Sequence, residues 1–373
     1  SILGSSDPVM AKLVSSLPGL VQPVIVLTGD RQDAVMTKVT LDGPFTVEAW
    51  INFAPGIDNS ENLLGRKGGG DFNFYAGQFR VYGGAGVGDL ITAKRTLQPN
   101  QWVHCAVTRD ANGHFRLYHD GELDTDKGKP SNQVFTELNI GTTNHGKQGA
   151  AFRMREFRVW NAARSAEQIR DDHRTDLKGE SPPGLVMRVS GDTPNVPLRG
   201  SANVTASSDF PELVTVEEAA KAKAKFDSYL KMISKPGDVA AGQGLFAVCM
   251  ACHKVNDVGG VIGPDLSGAG AMGDEALLHN ILTPNAVMES GYYRHDIIRK
   301  NGSKVTGSLV QDTKAHVSVQ PIGGAVVVVP RADILSQSVA KKSLMPEGLL
   351  DHLSPKQVAD LFAFIRSLNG TGK

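Results

Sequence analysis

The sequence predicts a multidomain chain, an N-terminal all-β sandwich followed by a mainly α domain that carries a small β insertion. Three observations lead there. At 373 residues the chain is too long for one ordinary core. Its 41 glycines, many in Asn-Gly, Asp-Gly and Gly-Gly pairs, mark frequent tight turns between short strands. Apolar and polar residues alternate from about Val24 to Trp160, whereas beyond residue 206 apolar residues recur at helical spacing.

Composition narrows the function classes. Lys and Arg number 39, as do Asp and Glu, so no basic field favours nucleic acid or an anionic membrane as partner. The longest apolar runs, such as Ala325 to Val329, fall far short of the ~20 residues of a transmembrane helix. Three cysteines are too few for a disulfide framework; Cys249 and Cys252 stand three positions apart, which points to ligation, and Cys105 reads as a small buried hydrophobe. The chain starts at Ser1 without an apolar leader and reads as a processed protein or a fragment, with residues 1–21 as an N-terminal extension.

The sandwich is placed at residues 22–206. Thr46 to Phe53 and Trp102 to Arg109 alternate as strands, the latter with Val103, Cys105 and Val107 on one face. Asn112-Gly113 and Asp120-Gly121 then make two successive hairpin turns. The stretches Phe45 to Trp50, Gln101 to His104, Leu117 to Gly121 and Arg158 to Asn161 resemble those of LamG-like, concanavalin A-like jelly rolls. A closing helix fits the resemblance, and Ser165 with Gln168 forms the capping box of one over Ala166 to His173. The resemblance implies carbohydrate binding, in some members with calcium. Trp50, Trp102 and Trp160 are read as sandwich core rather than as sugar platforms. Asp58, Asn59, Glu61, Asp71 and Asn73 lack the spacing of a calcium loop, so calcium is not predicted there.

Residues 207–235 read as a connector, with Phe226, Leu230 and Ile233 at helical spacing in a linker helix that Pro236-Gly237-Asp238 stops. The second domain is placed at 236–373. It opens with Cys249-Met250-Ala251-Cys252-His253, the attachment signature of haem c. Two thiols one helical turn apart reach the two vinyl groups of a porphyrin, and the next residue sets an imidazole beneath the iron. Zinc would need two further ligands in a comparable knuckle, and no second cysteine pair exists.

Gly244 and Phe246 before the motif, and Gly263-Pro264 after it, resemble class I cytochromes c. That resemblance implies that the carbonyl of Pro264 orients the ring of His253 and that Met345, ahead of Pro346, is the sixth ligand. His279, His295, His352, Met250, Met272 and Met288 are the rival ligands, His279 first among them. Ser354 with Gln357, and Pro355 in the first turn, start a last helix whose stripe is Val358, Leu361, Phe362, Ile365 and Leu368 and whose stop is Asn369-Gly370.

Between the two ligands, Ile297 to Arg299, Val305 to Val310, His316 to Pro321 and Ala325 to Val329 read as inserted strands, over about 295–335. With Gly263 to Leu266, Pro284-Asn285, Gly291-Tyr292, Arg331 to Ile334 and Ser343 to Leu349, residues 236–371 resemble the planctomycete-type haem-binding family. Tyr292, Tyr293 and Arg299 are read as packing the inserted strands.

The expected protein is a monohaem electron carrier, with one covalent haem and no catalytic residue of its own. Its partners would be a redox protein such as a dehydrogenase, and a saccharide or protein on the sandwich. Haem c attachment occurs outside the cytoplasm, so a periplasmic or cell-surface location is implied. Two alternatives stand beside it: a haem enzyme or small-ligand sensor with an open sixth position, and an adhesion lectin with an accessory cytochrome.

Overall fold

The computed structural model describes residues 22–142, 149–207, 209–285 and 293–369. The N-terminal extension, Met288, Tyr292 and Gly370 lie outside the described residues. The chain divides into two compact units, Ser1–Ala220 and Lys221–Lys373.

The strands of the first unit are β1 (Gln22–Thr28), β2 (Ala34–Leu41), β3 (Phe45–Phe53), β4 (Asn62–Leu64), β5 (Asp71–Tyr75), β6 (Gln78–Tyr82), β7 (Asp89–Thr96), β8 (Trp102–Arg109), β9 (Phe115–His119), β10 (Glu122–Thr125), β11 (Phe135–Ile140) and β12 (Ala151–Trp160). Helix α1 (Ala166–Asp172) follows, then β13 (Leu185–Val189), β14 (Leu198–Arg199) and β15 (Asn203–Ser207). One sheet has the order β10-β9-β8-β3-β12-β1-β15, with β13 added on β12. Opposite it lie β4-β5-β6-β7 and β11-β2-β14, joined by a bridge between Gly65 and Asn139. The core between the layers is aliphatic and phenylalanine-rich, built on Val47, Ile51, Phe72, Phe74, Phe79 and Phe152. Asp120 and Gly121 both have positive φ, as the tight β9–β10 turn requires.

The tryptophans are buried, as the sequence leads one to expect of core rather than sugar platforms, but Trp50 and Trp102 pack with Val24 and Phe210 in a second cluster apart from the phenylalanine-rich one. Along β3 the inward residues are Val47, Ala49 and Ile51, which puts Glu48, Trp50 and Asn52 on the other face. That face is covered too: Phe210 packs edge-on against Trp50 and Trp102, and Ile169 of α1 packs on Tyr118. All nine residues of β3 are therefore buried. Cys105 is fully buried among apolar neighbours, and burial pushes its thiol up.

The second unit is built on α2 (Val216–Ile233), α3 (Val239–Phe246), α4 (Asp274–Leu282) and α5 (Pro355–Arg366). Where the sequence suggests a linker, α2 has a packed face: Phe226, Tyr229 and Ile233 join the core made by Phe246, Leu278, Val358, Phe362 and Ile365. The capping boxes of α1 and α5 form as their sequences require. Helices α3 and α5 meet at Gly242. A β-carbon on Gly242 would overlap the Asp360 carbonyl and lie 2.9 Å from Phe364 Cβ, whereas nothing comes within 4 Å of one on Gly244. Asp238 caps α3 through Ala241 N–H and donates its own N–H to Asp360 Oδ1 at 2.7 Å.

After the two-residue pair β16 (Lys254–Val255) and β17 (Val258–Gly259), the insertion forms one sheet. Its strands are β18 (Tyr293–Arg299), β19 (Lys304–Asp312), β20 (His316–Gln320), β21 (Val327–Pro330) and β22 (Ile334–Ser343), in the order β21-β20-β19-β18-β22. It is longer than the sequence suggests, because β22 is an edge strand of sequence ILSQSVAKKS whose polar residues hide its strand character. The sheet has a core of its own around Ile297, Val317, Val319 and Val329.

Candidate functional site

The Cys-x-x-Cys-His segment follows α3 directly. Cys249–Ala251 form one turn of 3-10 helix, and the N–H groups of Cys252 and His253 both donate to the Cys249 carbonyl, at 3.1 and 2.9 Å. This turn sets the backbone that carries the two thiols and the imidazole by local geometry. Cys249 and Met250 pack on the helical core, and burial pushes the Cys249 thiol up to about 11. The Cys252 thiol is raised by the same cause.

The loop after the motif folds back over it. Gly260 N–H donates to the Met250 carbonyl and Gly263 N–H to the Cys252 carbonyl, both at 2.8 Å. His253 Nδ1 lies 2.8 Å from the Pro264 carbonyl, which fixes Nδ1 as the protonated nitrogen and leaves Nε2 as the donor atom for a metal. Gly263 lies flat against this ring: a β-carbon there would stand 2.5 Å from Cε1 and 2.7 Å from Nδ1. One on Gly259 would overlap the His253 carbonyl. The steric roles of Gly259, Gly260 and Gly263 were not part of the sequence reading, although three glycines within ten residues of His253 are a signal that the backbone approaches closely.

The arrangement fits a haem. It offers two thiols, an imidazole with one nitrogen free, and exposed apolar side chains beside the motif: Val248, Val258 and Val261 are 66%, 62% and 73% exposed. Pro264 stands with the three motif residues. Met345 is half-buried on a separate segment between β22 and Leu350, its N–H donating to Ser343 Oγ at 3.1 Å. Leu350 belongs to the same core on which Cys249 packs.

The rival ligands have other surroundings. His279 stacks on Phe226 with ring centroids 4.1 Å apart. His295 lies on β18, held down by burial, while Met272 and His352 are exposed. Tyr293 and Arg299 sit in β18.

In the first unit, two features stand out. The covered face of the large sheet holds a charged network that sequence spacing could not reveal. Glu48 Oε1 accepts from Trp160 Nε1 at 2.8 Å and lies 3.6 Å from Arg158, and Glu48 Oε2 lies 3.3 Å from His104. Burial raises the Glu48 carboxyl, but His104, Arg158 and Arg164 outweigh it and hold the group well below the usual carboxylate range. His173, stacked on Trp50, is pushed down to about 3 by burial and by His104.

The second feature is a recess of about 160 Å³ lined by Arg66, Gly69, Gly70, Gln133, Val134 and Thr136, with Phe135 and Leu138 as its floor. Arg66 Nη1 donates to Thr136 Oγ1 at 2.9 Å, and among the described residues no carboxylate pairs with it. A β-carbon on Gly70 would lie 2.9 Å from Phe135 Cε1 and 3.2 Å from Gln133 Nε2, so the absence of a side chain keeps this space open. Of the calcium-type oxygens, Asn59 and Asn73 both accept from the Arg80 guanidinium, at 3.0 and 2.9 Å.

Comparison with known proteins finds a family match within each unit. Residues 28–170 match the concanavalin A-like lectin/glucanases superfamily, and residues 239–313 match cytochrome c. No curated protein matches the chain. Among solved structures, a Bacteroides ovatus protein described as carbohydrate-binding is 20% identical, with a TM-score of 0.41 over 51% of this chain and 62% of that one. A SAP-like pentraxin from Limulus polyphemus is 13% identical, with a TM-score of 0.31 over 52% of this chain and 96% of that one. This chain thus spans less than two thirds of the Bacteroides protein.

Proposed function

We propose that this chain, which joins a concanavalin A-like sandwich to a cytochrome c domain, is a monohaem electron carrier that works outside the cytoplasm and docks through its sandwich to a saccharide. The observation that carries the redox half is the contact of His253 Nδ1 with the Pro264 carbonyl in a Cys-x-x-Cys-His turn. It holds the imidazole in one tautomer and one orientation.

Cys249 and Cys252 would hold the haem through thioether bonds, His253 would be its fifth ligand and Met345 its sixth. When bound, the haem supplies a one-electron couple, which a thioether ligand shifts toward the ferrous form. The protein's part is to orient and to shield. Gly263 and Pro264 fix the ring of His253, and the helical core of Phe246, Leu278, Phe362 and Ile365 keeps water from the side on which Cys249 packs. No acid or base is assigned, because electron transfer needs no proton at a protein atom. A redox protein, such as a dehydrogenase, would be the partner.

The test is a pair of oxidised and reduced visible spectra, with and without carbon monoxide, followed by acid extraction of the pigment. Covalent low-spin haem with a methionine-to-iron charge-transfer band and no response to carbon monoxide is expected. Extractable haem would overturn the c-type reading, and ready carbon monoxide binding would move the protein to the sensor or enzyme class.

The saccharide half rests on the recess at Arg66. The Arg66 guanidinium, which among the described residues has no carboxylate partner, lies beside a carboxamide and a hydroxyl and suits the carboxylate and hydroxyls of an acidic sugar. Calorimetric titration with oligogalacturonides and with neutral cello-oligosaccharides tests it. Binding of the acidic series that Arg66→Ala abolishes is expected; binding that ignores this substitution would place the sugar elsewhere, and no binding to either series would remove the saccharide reading.

A further inference from the structure

We infer that Asn285 is a positioning residue for the sixth iron ligand, its carboxamide clamping the Ser343–Glu347 segment that carries Met345. The inference rests on the reading of Met345 as that ligand. Asn285 Oδ1 accepts the Ser343 N–H at 2.8 Å, and Asn285 Nδ2 donates to Glu347 Oε1 at 2.7 Å. The Ser343 N–H can only donate, so it fixes which end of the carboxamide is the oxygen. Between those two anchors the Met345 N–H donates to Ser343 Oγ at 3.1 Å. Five consecutive residues are thus tied at both ends and in the middle.

The anchor itself is firm. Asn285 follows α4 by three residues, and Leu277 and Leu278 of α4 are buried in the core on which Cys249 and Met250 pack. The clamp therefore refers the position of Met345 to the same body that bears the Cys-x-x-Cys-His turn. It also stands at the splice of the insertion, where Ser343, the last residue of β22, pairs with Tyr293, the first of β18. A free methionine segment at the end of a ten-residue edge strand would move with the sheet. The carboxamide uncouples the two.

The experiment uses the haem-loaded full chain and compares Asn285→Ala, Glu347→Gln, Glu347→Ala and Met345→Ala with the wild type. The readouts are the methionine-to-iron charge-transfer band, the reduction potential and the rate of carbon monoxide binding to the ferrous protein, with the thermal midpoint as a fold control. Asn285→Ala is expected to lose most of the band, lower the potential and admit carbon monoxide at least tenfold faster. Glu347→Gln keeps an acceptor for Nδ2 and should match the wild type. Glu347→Ala, at an exposed position, should keep the wild-type thermal midpoint, fall between them in the other readouts and cover the case in which Asn285→Ala does not fold. An Asn285→Ala protein whose band, potential and carbon monoxide rate equal those of the wild type overturns the clamp. A wild type without the band, whose spectrum Met345→Ala leaves unchanged, instead overturns the ligand assignment on which the clamp rests.

Discussion

Two glycines in one short helix should respond to the same substitution with opposite signs. In α3, alanine is worth about 0.5–1 kcal/mol over glycine through backbone entropy alone. At Gly244 nothing lies within 4 Å of the added methyl, so Gly244→Ala should stabilise the second unit by about that amount. At Gly242 the methyl would stand 2.6 Å from the Asp360 carbonyl carbon and 2.9 Å from Phe364 Cβ, where ordinary contacts are about 3.5–4.0 Å. Relieving this moves α3 and α5 apart by roughly 1 Å, enough to forfeit a quarter to a half of each contact along the crossing. Overpacking of this kind costs about 1–3 kcal/mol. After the helix-propensity gain, Gly242→Ala should destabilise by up to about 2 kcal/mol and differ from its twin, which carries the same gain, by about 1–3 kcal/mol. Guanidinium unfolding followed at 222 nm, with the helical unit fitted as its own transition, measures both. Shifts of the same sign, or no effect at Gly242, would show that the helices do not cross where the structure places them.

Further outcomes follow from the same geometry. Gly263→Ala should drive the His253 ring off the Pro264 carbonyl and weaken the binding of that imidazole to the iron by about 10–100-fold, the usual effect of losing a metal ligand's outer partner; an unaltered visible spectrum would refute it. His173 has a folded value of about 3 against 6.5 for the unmodified group, so the unfolded chain binds a proton that the native sandwich refuses between those values. Stability is then lost as pH falls through that window, by about 2 kcal/mol at pH 5, and replacing His173 should flatten the slope of unfolding free energy against pH by about one proton. Ile297→Ala should cost about 2–5 kcal/mol in the inserted sheet and speed amide exchange in β18–β20 while leaving α5 protected.

What was legible in the sequence is what is local. The Cys249 to His253 turn, the capping boxes of Ser165 with Gln168 and of Ser354 with Gln357, and the Asp120-Gly121 hairpin each depend on residues within five positions of one another. The Glu48, His104, Arg158 and Arg164 network spans more than a hundred positions, and only the stacking of β8, β3 and β12 brings it together. Strand periodicity identifies two faces but cannot tell that both are covered, so the second cluster of Val24, Trp50, Trp102 and Phe210 was not legible. The role of Gly242 was not legible because spacing from Cys249 says nothing of which helix face meets α5. The strand β22 escaped because an edge strand with lysines reads as a loop.

The separate core of the inserted sheet bears on how the chain folds. Phe246 and Val255 lie before the sheet and Leu350 and Phe362 after it, yet all four share one core. Leu278 is the last fully buried core residue before the sheet, and bringing it to Leu350 across an open chain of about seventy residues costs loop entropy that grows as (3/2)RT ln n. A sheet that closes early around Ile297, Val317 and Val329 brings its first and last strands side by side, and so shortens the open span to roughly twenty residues. The saving is about 1 kcal/mol in the denatured ensemble. The inserted sheet is thereby a staple that gathers the two ends of the haem domain before its helices meet.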